Sequence, residues 1–160
     1  MEFIERPSRY GSRNNFPEFI VVHAMGEKID VEGAPSAASY LESVGLSAHA
    51  LVAPSGYIIL CRPEDKGAYH AKGFNSNSLG IEFLVEGNHN YGSFIEAIKK
   101  DYITEKQYKS GLDLIRMWMY SWDIQPNCIF RHSDLSPERK VDPGSGFPWD
   151  KLMKDIGGKG

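Results

Sequence analysis

The chain has 160 residues, of which 41% are hydrophobic and 24% charged, with a net charge of −3. That length suits one domain around one core, and that balance excludes a disordered chain or a fibrous repeat. The slight acidity argues against a protein built to grip nucleic-acid phosphates, so no nucleic-acid partner is expected.

The first residues, Met1-Glu2-Phe3-Ile4-Glu5-Arg6-Pro7, have neither a basic start nor a long apolar stretch. Nothing in the chain approaches the ~18 apolar residues of a membrane span. The expectation is a monomer made in the cytoplasm, without a signal peptide or membrane segment. Residues 1–17 are polar and broken by Pro7, Gly11 and Pro17, and read as an arm on a single domain covering 1–160. Phe19-Ile20-Val21-Val22 is a continuous apolar run, which predicts a central strand buried on both faces and ending at His23. Residues 26–35 carry Gly26, Gly33 and Pro35 and read as a loop. Ala37, Tyr40, Leu41 and Val44 then repeat at helical spacing, with Gly45 as the stop.

Two apolar runs, 48–53 and 57–62, flank Pro54-Ser55-Gly56 and predict a β-hairpin. Residues 63–77 form a long polar loop holding His70, and loops of that length inside a domain tend to be functional or mobile. A strand is predicted over 79–85, a turn over 87–92 and a short helix over 93–100. Thr104-Glu105-Lys106-Gln107 matches a capping box. Behind it Tyr108, Leu112, Ile115, Met119 and Trp122 recur every three or four residues, which makes this the clearest helix. Gly111 inside that helix costs about 1 kcal/mol against alanine and is read as a point of close approach to a strand. Cys128-Ile129-Phe130 reads as a short buried strand. Residues 148–156 read as a terminal helix with Pro148 at or near its first position, and 157–160 as a frayed tail. Cys61 and Cys128 both lie in apolar runs and are expected to be reduced core residues. The order of elements predicts an α/β fold: one domain with a central mixed β-sheet flanked by helices.

The stretch 131–144 places His132, Lys140 and Asp142 in a loop rich in turn residues, directly after a predicted strand. A histidine at a strand end, followed by a loop that returns a carboxylate, fits half of a zinc site. His23, at the end of its own strand, is the candidate for the other half. There are five histidines (His23, His49, His70, His89 and His132), with no HExxH and no CxxC. Spacing alone therefore favours core or surface histidines over ligands.

Three blocks change that balance. The first is Ile20-Val21-Val22-His23. The second runs from Ser47-Ala48-His49-Ala50-Leu51-Val52 through Ala68-Tyr69-His70-Ala71-Lys72-Gly73 to Asn77-Ser78-Leu79-Gly80-Ile81-Glu82. The third is Arg131-His132-Ser133-Asp134-Leu135-Ser136-Pro137 with Arg139-Lys140-Val141-Asp142-Pro143-Gly144. In this order they resemble the type 2 N-acetylmuramoyl-L-alanine amidase family, which includes phage lysozymes of amidase type, muropeptide-recycling amidases and peptidoglycan recognition proteins.

The resemblance implies that His23, His132 and Asp142 bind one Zn2+ in a cleft on one face of the sheet, leaving a fourth position for water. Such a metal lowers the pKa of that water to about 7 and polarises the scissile carbonyl. Glu82 matches the glutamate of the Gly-Ile-Glu motif in the recycling amidases and is implied as the general base. Its apolar neighbours Ile81 and Phe83 put it on the opposite face of its strand, but alternation does not say which face holds the cleft. Lys140 stands where the family keeps a lysine and is implied to stabilise the oxyanion, with a solvated loop lysine as the alternative. Ala48 occupies the position of a catalytic tyrosine in some phage members, which shifts the base role toward Glu82. His49 is read as a structural or cleft histidine, and His70 as lining the cleft and touching substrate. Asn75 and Asn77 offer amides to the sugar or stem peptide, or else serve as turn residues. His89 is read as a surface residue.

The reaction implied is hydrolysis of the amide between N-acetylmuramic acid and L-alanine, on peptidoglycan or on muropeptides. A non-catalytic recognition module is the competing class, and its members typically lack a zinc ligand. The 71–80 run looks more like the phage branch, whereas Asp142 and Glu82 look more like the recycling branch. A phage-type endolysin, reaching the wall through lysis or a holin-type pore, is preferred over a cytoplasmic recycling amidase.

Overall fold

The computed structural model describes residues 1–29 and 36–157. Two long strands dominate it. β2 (Phe19–Gly26) and β5 (Ser78–Val85) lie side by side and parallel, with His23 opposite Glu82. Around them are β1 (Phe3–Glu5), β3 (Ala50–Val52), β4 (Ile58–Leu60) and β6 (Ile129–Arg131), giving the sheet order β1-β4-β3-β5-β2-β6. Only the β3–β4 pair, the predicted hairpin, is antiparallel, so the sheet is mixed as expected.

The helices are α1 (Ala37–Ser43), α2 (Tyr91–Ala97), α3 (Glu105–Trp122), α4 (His132–Leu135) and α5 (Trp149–Asp155). One face of the sheet presents Ile20, Val22, Ile81 and Phe83 to α3 and α5, through Leu112, Ile115, Trp118 and Leu152. On the other face Leu51, Ile59 and Leu84 pack with Ala37 and Leu41 of α1. β5 is buried along its whole length, as a strand covered on both faces must be.

The capping box at the start of α3 is complete: Thr104 Oγ1 accepts from Gln107 N at 3.0 Å, and Gln107 Oε1 accepts from Thr104 N at 3.3 Å. The same Gln107 side chain is fully buried and donates from Nε2 to Val52 O and Leu84 O, at 2.9 and 2.8 Å. The helix is thereby tied to β3 and β5 by one residue. Gly111 marks a close approach, because a Cβ there would lie 2.4 Å from Phe83 Cε1.

Several boundaries differ from expectation. The expected arm contains β1, a parallel edge strand beside β4 whose exposed residues carry no alternation to read. β2 does not end at His23 but runs on to Gly26, because its backbone keeps pairing with Phe83, Leu84 and Val85. α2 begins at Tyr91, inside the expected turn, where Asn90 Oδ1 caps Ser93 N at 2.9 Å. Pro148 is the N-cap of α5, next to its first residue as expected. Cys61 is buried, whereas Cys128 is only partly so, and both are free thiols. The predicted loop over 26–35 and tail over 157–160 fall partly outside the described residues. Among the described residues no helix is long and apolar enough to cross a membrane.

Candidate metal centre

β2 continues past Val22, so His23 sits within a paired strand and its ring projects from the face opposite Ile20 and Val22. β6 pairs with β2 up to Val22↔Arg131, and this register sets His132 beside His23. His132 opens the single turn of α4, whose start is fixed by Asp134: its Oδ2 accepts from Arg131 N at 3.0 Å. The chain then returns through Asp142, whose carbonyl accepts from Ser133 N at 3.0 Å and whose Oδ2 accepts from Ala24 N at 3.2 Å.

The result is a buried cluster of two imidazoles and a carboxylate. His23 Nδ1 lies 2.9 Å from His132 Nδ1 and 3.4 Å from Asp142 Oδ2, and His132 Nδ1 lies 3.2 Å from Asp142 Oδ1. All three ligand atoms fall within 4.8 Å of one another, a spacing that can hold a metal ion. The donor set fits a borderline divalent cation: two nitrogens facing each other across a short gap, with an anionic oxygen beside both.

Glu82 enters from β5, with Oε1 3.7 Å from His23 Nδ1. Its Oε2 and His132 Nε2 are both buried, and neither has a hydrogen-bond partner among the described residues. Burial, and then the neighbouring Asp142 charge, push the Glu82 carboxyl well above its ordinary range, against a smaller pull from Lys140. Burial pushes Asp142 up too, but the neighbouring His132 and His23 rings outweigh it and leave this acid well below the usual carboxylate range. Burial also lowers His23, against the raising effect of Asp142.

The cluster forms the floor of a cleft of about 410 Å³. Lys140 lines it, together with Tyr40, Tyr69, Lys72, Tyr91, Phe94 and Arg139. The structure thus brings together His23, Glu82, His132, Lys140 and Asp142 from separate parts of the chain.

The four residues offered for substrate contact fare differently. His49 is 1% exposed, and both ring nitrogens are used on backbone: Nδ1 accepts from Gly80 N at 3.0 Å and Nε2 meets Lys66 O at 2.7 Å. It is a structural histidine, held neutral by burial that lowers its pKa to about 4. His70 lines the cleft, but both its nitrogens are engaged inside the protein, with His23 and Ser78, so no ring nitrogen is left for a substrate. Asn75 also lines the cleft, yet its Oδ1 accepts from His70 N and Ala71 N at 3.0 and 2.9 Å, the turn role of the two expected. Asn77 lies outside the cleft lining, at the far end of β5, where its carbonyl accepts from Glu18 N and Phe19 N. His89 bonds locally to Ser93 and Glu86.

Tyr102 escaped the sequence reading. Its half-buried side chain donates from the hydroxyl to Pro143 O at 2.6 Å and so steadies the turn that carries Asp142. A tyrosine just ahead of a helix cap gives no sign of this, although a buried phenol always needs such a partner.

The geometry agrees with what the chain is similar to. A family model described as N-acetylmuramoyl-L-alanine amidase matches residues 13–145. Among curated proteins, the chain is 29% identical over 114 residues to the 1,6-anhydro-N-acetylmuramyl-L-alanine amidase AmpD of Haemophilus influenzae, covering 69% of this chain and 59% of that protein. It is 31% identical over 116 residues to AmpD of Escherichia coli, covering 67% of this chain and 56% of that protein. The chain thus spans less than two thirds of the length of these relatives. Among solved structures, the N-acetylmuramoyl-L-alanine amidase LysC from Clostridium intestinale superposes with a TM-score of 0.75 at 23% identity, over 99% of both chains, a likeness of fold.

Proposed function

Because the chain belongs to the type 2 N-acetylmuramoyl-L-alanine amidase family, we propose that it hydrolyses the amide joining N-acetylmuramic acid to L-alanine, with one zinc ion held by His23, His132 and Asp142. The observation that carries this reading is the convergence of those three side chains with Glu82 on the floor of one cleft. Zinc held there would supply Lewis acidity, polarising the scissile carbonyl and making water nucleophilic near neutral pH.

The chain's own residues do the rest. Glu82 Oε2 has no hydrogen-bond partner among the described residues and is the atom placed to take a proton from the attacking water. The same oxygen then returns the proton to the leaving amine of L-alanine. Lys140 lines the same cleft, and its ammonium offsets the negative charge that develops on the carbonyl oxygen. Tyr102 holds the turn behind Asp142 and keeps that carboxylate aimed at the cluster. A recognition module without activity would not need a complete ligand set beside a buried, unpaired carboxylate.

The preferred setting is the intact wall, as in a phage-type lysin, supported by the resemblance of the 71–80 run to that branch. Recycled muropeptides are the second reading, supported by the identity to AmpD proteins, whose names specify the 1,6-anhydro substrate. The deciding experiment is mass spectrometry of purified peptidoglycan after incubation. Release of stem peptides beginning with L-alanine, blocked by a chelator and restored by zinc, is the expected result. Intact linkages despite bound zinc would overturn the proposal. Turbidity loss on whole sacculi, set against cleavage of soluble anhydro-muropeptides, separates the two settings.

A further inference from the structure

His70 lies beneath His23, and the hydrogen bonds around it allow one assignment of protons. Ser78 Oγ has a single hydrogen, and it is directed at Phe74 O, 2.6 Å away. A carbonyl cannot donate, so Ser78 Oγ can only accept at its second contact, His70 Nε2 at 2.9 Å. His70 therefore carries its proton on Nε2. A neutral imidazole has one donor and one acceptor nitrogen, which leaves His70 Nδ1 as an acceptor. Its contact is His23 Nε2 at 2.9 Å, so His23 must carry its own proton there. The lone pair of His23 is then confined to Nδ1, the atom that faces His132 and Asp142.

The ring of His70 is held in this position from two other sides. A Cβ on Gly80 would lie 2.5 Å from His70 Nδ1 and 2.6 Å from its Cγ, so the ring rests directly on the bare α-carbon of β5. The backbone of His70 is fixed by Asn75 Oδ1, 3.0 Å from its N.

We propose that Ser78–His70–His23 is a tautomer relay, in which His70 is a positioning residue that sets His23 to offer Nδ1 to the metal. This rests on the reading of His23, His132 and Asp142 as the metal site. Ligand histidines elsewhere are oriented by a carboxylate, a backbone carbonyl or water at the second nitrogen, and losing such a partner costs about 10- to 100-fold in metal affinity. Here a second histidine fills that place, with a buried serine setting its polarity.

The test uses the full chain, stripped of metal and reloaded with zinc alone. Ring nitrogen shifts from two-dimensional NMR of the metal-free protein report the tautomer of His23 without any need for activity. The expected result is the Nε2–H form in the wild type and in His70→Asn, whose amide oxygen replaces the acceptor at the Nδ1 position. His70→Phe and Ser78→Ala should show mixed forms. Zinc affinity from chelator competition should fall about 10- to 100-fold in His70→Phe, fall less in Ser78→Ala, and be largely recovered in His70→Asn. An Nδ1–H form of His23 in the wild type, or equal zinc affinity in His70→Phe and wild type, would overturn the relay. Should His70→Phe fail to fold, Ser78→Ala with unchanged His23 shifts would overturn it equally. A wild-type protein with no zinc affinity would sink the metal site itself, and the metal-free spectra would still decide the relay.

Discussion

Ile81 and Phe83 on one face of β5 lie among Leu112, Ile115 and Phe147, packed so closely that a glycine is needed in the helix above them. On the other face Gly80 meets a histidine ring, and Glu82 brings to the cleft a buried carboxylate oxygen with no partner among the described residues. Both faces are buried, so burial does not separate them. The difference lies in what the burial achieves. Apolar groups removed from water on the α3 side stabilise the fold, at about 25 cal/mol per Å². On the cleft side, burying Glu82 opposes its charged form and costs stability. One strand thus carries the core on one surface and the proposed chemistry on the other.

That contrast can be broken most severely at the cleft. His132→Ala should remove zinc binding and amidase activity together, read by metal analysis and peptide release, while circular dichroism still reports a folded chain. Full activity in that variant would remove the central assignment. Next in size, Glu82→Gln should keep zinc but lower turnover by about 10²- to 10⁴-fold. The same substitution should leave the Tm of the metal-free protein unchanged or raised, because it removes a carboxyl that burial disfavours. A wild-type rate would move the proton-transfer role to another group.

On the structural side the expected effects are smaller and fall on stability alone. His49 has its pKa lowered from 6.5 to about 4. Between those values the unfolded chain binds a proton that the folded chain refuses, so stability falls as pH drops from 6.5 toward 4 and levels off below. At about 1.4 kcal/mol per unit, the loss is about 3 kcal/mol. Denaturant melts across this range should show that slope, and His49→Asn, which keeps an acceptor for Gly80 N, should flatten it. Smallest is Gly111→Ala. The gain of about 1 kcal/mol in helix propensity should be outweighed by the clash with Phe83, for a net loss of about 1–2 kcal/mol. Zinc affinity should not change, and a parallel loss there would show that the two faces are coupled.

The packed face was the more legible in the sequence, for a physical reason. Tyr108, Leu112, Ile115 and Trp122 repeat with the period of a helix, Thr104 and Gln107 mark its start, and Pro54-Ser55-Gly56 separates the strands of the hairpin. These are local patterns, written in neighbouring residues. Gly111 was readable as a close approach because a glycine inside a strong helix has a cost that packing must explain. The cleft face joins residues far apart in the chain, and no periodicity links His23 to His132. They were found through a resemblance of motifs, and the register of β2 with β5 and β6 gives the reason they meet. The sequence reading gave His70 to substrate and left His49 and Asn75 open between the cleft and a structural role, because it could not see which of their atoms were already engaged. Ser78 drew no reading of its own, since one hydroxyl between a predicted loop and a predicted strand carries no pattern. β1 was missed because three exposed residues at a sheet edge have no inward face to alternate with.

The place of β6 in the sheet bears on how the protein comes into being. Among the described residues β6 pairs only with β2, whose partner residues lie far back along the chain. The chain up to Trp122 contains both strands that carry His23 and Glu82, yet neither His132 nor Asp142. Closing a loop of that length comes late, because its entropy must be met before the contact gives anything back. The candidate metal cluster therefore depends on the strand pairing of longest sequence range in the described sheet, that of β2 with β6.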